Sequence, residues 1–201
     1  MLDAQLPGPL RELIERFTAL PGVGAKTATR YAMHLLRSHP GTAAALASAI
    51  GNLSEQVFEC SVCRNYADSQ RCRYCTDPDR QDRVLCVVED PLDLLALEQS
   101  GSYEGRYFVL HGVLSPIDGV GPADLQIGRL RDLVRERSVS EVIVATNASI
   151  EGDATASEIA RQLEGDSCRV TRLARGLATG GDIEFVDART LAMALEARRP
   201  V

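Results

Sequence analysis

The chain has 201 residues, of which 45% are hydrophobic and 25% charged, the balance of an ordinary soluble protein with one sizeable domain or two small ones. No apolar run approaches the ~18 residues that span a bilayer, and the first 20 residues, with Asp3, Glu12 and Glu15, lack a secretory h-region, so no membrane role and a cytoplasmic location are expected. The net charge of −6 argues on its face against a nucleic-acid partner, yet residues 1–80 carry 9 basic and 8 acidic side chains, a net of +1, and the acidity belongs to residues 81–201.

Leu10, Leu13, Ile14 and Phe17 share one face of a helix predicted over 10–19. Pro21 and Gly22 stop it. A second helix is expected from Ala25 to Ser38 with Ala28, Tyr31, Ala32 and Leu35 inward, and a third from Thr42 to Val57 with Leu46, Ile50, Leu53 and Val57 inward. Between the first two stands LPGVGAKTATR, which holds Lys26, the one lysine against 21 arginines. Helix, Leu-Pro-Gly-Val-Gly, helix is the pattern of a helix-hairpin-helix. Gly22 and Gly24 let the backbone turn and approach a partner, and the next helix offers its N–H groups and positive dipole end to a phosphate. Lys26 and Arg30, four residues apart, add charge on one face. The competing readings are a plain turn with solvated charges and a phosphate-binding P-loop. The P-loop fails because Ala25 replaces the glycine before the lysine and a helix, not a strand, precedes it.

Residues 58–80 are polar, turn-rich and too short for a core of their own. Cys60, Cys63, Cys72 and Cys75 form C-x2-C-x8-C-x2-C, a spacing that turns four thiolates onto one tetrahedral zinc ion with no open position, so a structural Zn²⁺ is expected. Cys86 and Cys168 lie in or beside apolar strands and read as core fillers.

From residue 83 strand and helix alternate: strand 84–88, helix 91–99, strand 107–110, helix 125–137, strand 141–146, helix 153–164 and strand 169–173. Such alternation predicts a parallel sheet with crossover helices. A strand over 182–187 and a helix over 188–198 close the chain. Glu89, Glu151 and Asp153 come just after strand ends, where ligands of open parallel sheets gather. They either converge on Mg²⁺ or serve helix N-termini, Asp90 and Asp153 both preceding helical runs.

The order of these pieces resembles the bacterial RecR family of recombination mediators. The carriers are LPGVGAKTATR, CSVC with CRYC, CVVEDPLDLLALE, YFVLHGVLSPIDGVGP, TNASIEGDATA and RGLATGGDIEFVD. The resemblance implies an α/β fold with an all-α helix-hairpin-helix module (1–57), a small four-cysteine zinc finger (58–80), a Toprim domain whose parallel sheet is flanked by helices (81–175), and a C-terminal strand and helix (176–201) that supports oligomer contacts. It further implies a non-enzymatic, nucleoid-associated clamp, dimeric or a ring-like tetramer, that acts with RecO and RecF proteins to help RecA onto single-stranded or gapped DNA. Lys26 and Arg30 would contact DNA, and Glu89, Glu151 and Asp153 would bind a partner or metal. The Glu-Gly-Asp here departs from the Asp-x-Asp of catalytic Toprim enzymes. The alternative is a Mg²⁺-dependent Toprim nuclease.

Overall fold

The computed structural model describes residues 6–177, 179–198 and 200; Asp3 lies outside them. The chain divides into two compact units, Met1–Val57 and Phe58–Val201.

In the first unit α1 (Gly8–Thr18) and α2 (Ala25–Arg37) are joined by the Leu20–Gly24 turn. Ile14, Ala28 and Ala32 are buried between them, with Leu10, Leu13 and Phe17 packed alongside, which is the expected face of α1. Alanines one turn apart on α2 let the two backbones approach. Tyr31 departs from expectation. It is 44% exposed and meets Phe17 edge-on at 5.9 Å. The third helix, α3 (Pro40–Gln56), starts earlier than Thr42, because Pro40 is preset for the first helical turn and the His39 ring accepts the Gly41 N–H. It buries no residue. Leu46, Ile50, Leu53 and Val57, expected inward, are exposed. They write an apolar stripe that no other element of this unit covers among the described residues.

The second unit begins with a two-residue hairpin, β1 (Phe58–Glu59) paired antiparallel to β2 (Tyr66–Ala67), followed by the short helix α4 (Arg73–Thr76). The sheet then runs β3 (Gln81–Val88), β4 (Gly105–Val109), β5 (Glu141–Ala145) and β6 (Arg169–Arg172), all parallel in the order β4-β3-β5-β6. The crossovers are α5 (Pro91–Gln99), α6 (Ile127–Glu136) and α7 (Ile150–Gln162). This is the expected α/β architecture with its parallel sheet flanked by helices. Asp90 caps α5 in a reciprocal capping box with Asp93. Residues 182–187, expected as a strand, form instead a 3-10 turn (Ile183–Phe185) that leads into α8 (Ala188–Glu196). Ile183 and Phe185 alternate as in a strand, but no strand pairs with them among the described residues, and both are exposed.

Alternation along β3 divides the core in two. Leu85 and Val87 join Phe108, Leu130, Val142 and Ile159 under α6 and α7. Cys86 and Val88 point the other way, into a cluster with Tyr107, Val109, Leu94 of α5, Tyr74 and all four spaced cysteines. The cysteine module is thus a layer of the sheet rather than an appendage. Its attachment is a buried arginine. Arg64, in the left-handed region at φ 66°, sends one guanidinium nitrogen to the carbonyls of Val109, Leu110 and Leu125 at 3.4, 2.9 and 3.3 Å. Its Nε meets Glu59 at 3.3 Å. The Val109 N–H returns a bond to the Cys63 carbonyl at 2.8 Å, and the His111 ring meets the Arg64 carbonyl at 2.7 Å.

Arg64→Met should therefore lower stability by about 2–4 kcal/mol, since it leaves buried carbonyls without their donor. Chemical denaturation checks this, and a change below about 0.5 kcal/mol would contradict the role given to the guanidinium.

Candidate functional site

Three places hold the residues singled out in the sequence. The first is the helical hairpin. Gly22 has φ 76°, a conformation that excludes most side chains. Gly24 has an ordinary φ of −81° and is the N-cap of α2, with no side chain capping that end. A Cβ at Gly24 would meet nothing within 4 Å. Neither strain nor packing calls for glycine there, and a bare backbone at an uncapped helix start suits a ligand that approaches closely. Lys26, in the first turn, and Arg30, one turn on, are both exposed. Neither enters an ion pair among the described residues, and the Arg30 guanidinium lies 5.9 Å from the Tyr31 ring centre.

The second place is the cysteine cluster. Cys60, Cys63, Cys72 and Cys75 are all buried, with sulfurs within 4.8 Å of one another. Cys63 and Cys72 sulfurs are 3.4 Å apart, far beyond the ~2.0 Å of a disulfide and close to the about 3.8 Å edge of a tetrahedron built on ~2.3 Å metal–sulfur bonds. The Cys72 N–H donates to Cys60 Sγ at 3.3 Å. Hydrogen bonds from Cys63 draw the Cys60 thiol down to about 5 and that of Cys72 to about 2, while sharing with its neighbours holds Cys63 far above the thiol range. The donor set and its size fit one metal ion with a closed, structural shell.

The third place is the carboxyl edge of the sheet, where the acidic side chains go separate ways. Glu89 accepts from the Asn147 N–H at 2.6 Å and from its side-chain amide at 2.7 Å, which ties the end of β3 to the end of β5. Asp153 is committed to cations instead. Arg172 meets it at 2.6 Å, Arg175 grips both of its oxygens, and Arg189 of α8 stands at 3.9 Å. The two nearest guanidiniums hold its carboxyl well below the usual carboxylate range. Glu151 is exposed in the first turn of α7. Among the described residues the cysteines form the one group close enough to share an ion, so the three carboxylates do not meet as a metal triad. Nor does Asp153 cap a helix. The helix begins at Ile150, and Ser149 Oγ accepts the Gly152 N–H at 3.0 Å.

Sequence reasoning missed Arg64, Asn147 and the arginines around Asp153, whose partners are distant in the chain. It also passed over Gly152. A Cβ there would stand 2.2 Å from the Asn147 carbonyl oxygen and 3.2 Å from Glu89 Oε1. The glycine inside Glu-Gly-Asp is what lets α7 pack against the Asn147 turn.

Known proteins bear on these places. Residues 10–53 match the family described as RecR, helix-hairpin-helix, residues 83–174 the Toprim domain, and residues 176–199 the RecR C-terminal family. The Recombination protein RecR of Hahella chejuensis (strain KCTC 2396) is 47% identical over 199 residues, 99% of each chain. Its counterpart in Myxococcus xanthus (strain DK1622) is 49% identical over 193 residues, 96% of this chain and 98% of its own. That of Heliobacterium modesticaldum (strain ATCC 51547 / Ice1) is 48% identical over 191 residues, 95% and 96% of the two chains.

Gly152→Ala should cost about 1–3 kcal/mol, because the new methyl meets backbone rather than a movable side chain. Denaturation compared with Gly128→Ala, where a Cβ meets nothing within 4 Å, isolates the effect. Equal stability of the two variants would contradict the packing described.

Proposed function

We propose that this chain, which belongs to the RecR family of recombination proteins, is a non-catalytic DNA-binding mediator of recombinational repair that works as an oligomeric clamp. In this reading it acts with RecO-like and RecF-like proteins to help RecA onto single-stranded or gapped DNA. The observation that carries it is the hairpin: an uncapped helix start at Gly24, open space over that glycine, and Lys26 and Arg30 exposed and in no ion pair among the described residues. These groups suit a phosphate backbone, whose contacts position a protein without reading sequence.

The metal is zinc in this reading, one per chain, held by Cys60, Cys63, Cys72 and Cys75. It supplies structural cross-linking. The four thiolates fix the layer that covers Cys86 and Val88 of the sheet. The Toprim acids serve contacts rather than cleavage. Glu89 and Asp153 already hold the fold together, which leaves Glu151 exposed for a basic partner. A Mg²⁺-dependent nuclease would have to release both of the others first.

Self-association has physical support in both units. Leu46, Ile50 and Leu53 recur at helical spacing on the exposed face of α3, with Val57 exposed at its C-cap, and Ile183, Phe185 and Leu195 are exposed near the C-terminus. A ring of identical subunits needs two apolar contact surfaces if each is to join like with like. One hairpin makes few phosphate contacts, and several in a ring raise the effective concentration of each.

Lys26→Ala/Arg30→Ala should weaken DNA binding at least about tenfold near ~100 mM salt and flatten its salt dependence by about two phosphate contacts per chain, with zinc content and oligomer size unchanged. Unaltered affinity in anisotropy titrations would refute the DNA-binding role of the hairpin. Elemental analysis should find about one zinc per chain, and chelation should lower the melting temperature of the second unit. Protein prepared with zinc available yet free of metal would overturn the zinc assignment.

A further inference from the structure

The hairpin accounts for Lys26 and Arg30 but leaves two more cation-forming side chains on the same helix without a role. His34 and Arg37 continue the spacing. Taken from Lys26 the four fall at i, i+4, i+8 and i+11, which at 3.6 residues per turn confines them to an arc of about 80°. All four are exposed, while Ala28 and Ala32, on the opposite side of α2, are fully buried. None of the four is in an ion pair among the described residues, and α2 contains no acidic residue. The surrounding sequence sharpens this. From Arg16 through Ser54 there is not one Asp or Glu, in a chain with 28 of them.

We infer that α2 is a phosphate track along its whole length: the hairpin seats the first phosphate, and His34 and Arg37 hold the same strand further on. The inference rests on the reading of the hairpin as a DNA contact and extends it. Lys26 to Arg37 spans about 16 Å at ~1.5 Å per residue, the axial length of about five phosphates at ~3.4 Å each on one strand. Steps of about 6 Å between successive side chains let alternate phosphates be met without bending the helix. An arginine contributes a two-pronged contact, and an imidazole has at least one N–H donor whatever its protonation. The ligand is the sugar–phosphate backbone itself. Nothing on this ridge could distinguish bases, since it is a convex row of cations rather than a groove.

The test uses the full-length protein with intact zinc and a fluorescein-labelled duplex of about 40 base pairs, titrated by anisotropy between about 50 and 200 mM salt. Arg37→Ala and Arg37→Gln should each lower affinity about two- to fivefold and reduce the salt slope by about 0.9 for the phosphate lost. Arg37→Lys should restore the slope, because a point charge in the same place releases the same counterion. Circular dichroism confirms that helix content is kept, and the glutamine variant preserves side-chain length should alanine perturb the end of α2. Wild-type affinity and slope in Arg37→Ala and Arg37→Gln, beside weakened binding in Lys26→Ala/Arg30→Ala, would overturn the track and leave the hairpin contact standing. Unchanged binding in the double variant would overturn the hairpin reading and the track with it.

Discussion

The carbonyls of Val109, Leu110 and Leu125 converge on one buried guanidinium, that of Arg64, and the second unit is organised around it. A buried carbonyl without a donor costs on the order of 1–3 kcal/mol, and three at one point would leave the end of β4 and the approach to α6 unsupported. Arg64 can reach them because its own backbone sits in the left-handed region, one residue after Cys63. The cysteine turn and the arginine are therefore one device. An ion held by the four sulfurs would fix the turn, the turn aims the side chain, and the side chain pins the sheet edge. In return the sheet gives the cysteines a buried setting that a short polar segment could not build alone.

The same logic governs the opposite end of the strands. An open parallel sheet gathers acidic side chains where its helices begin, because the N–H groups and dipoles there favour them. In a catalytic site such acids stay free to bind a metal. Here Glu89 is committed to Asn147 and Asp153 to Arg172 and Arg175, so the carboxylates act as ties between chain segments. Gly152 makes the arrangement compact, since its missing methyl is the one that would push α7 away from Asn147. Arg189 of α8 stands 3.9 Å from the same carboxylate on α7.

Much of this is legible in the chain because it is local. Cysteine spacing fixes a tetrahedral cage, Asp90 and Asp93 announce the start of α5, and alternating apolar runs give the sheet and its crossovers. Pairing at a distance is what escapes. Nothing near Asp153 shows that arginines 172, 175 and 189 will surround it, so sequence alone leaves convergence on Mg²⁺ and helix capping equally open. Residues 182–187 have the alternation of a strand and lack only a neighbour. The stripe on α3 is apolar as expected but not buried, since periodicity marks a face that wants cover and does not say whether the same chain supplies it.

That distinction between total and local composition also resolves the conflict over charge. A protein of net −6 is a poor candidate for DNA if its charge is treated as a sum. Screening makes the sum the wrong quantity. At physiological ionic strength charges are felt over about 8 Å, so a phosphate approaching α2 responds to the side chains within that radius. On α2 itself these are one lysine, two arginines and a histidine, with no carboxylate in the helix. An acid-free run from Arg16 to Ser54 ensures that no sequence neighbour cancels them. The acidity is confined to other stretches of the chain, where some of it is bound into ties. Keeping cations together and acids out of one 39-residue stretch lets an acidic protein present a locally basic helix, and that local field, rather than the overall charge, decides what the hairpin can hold.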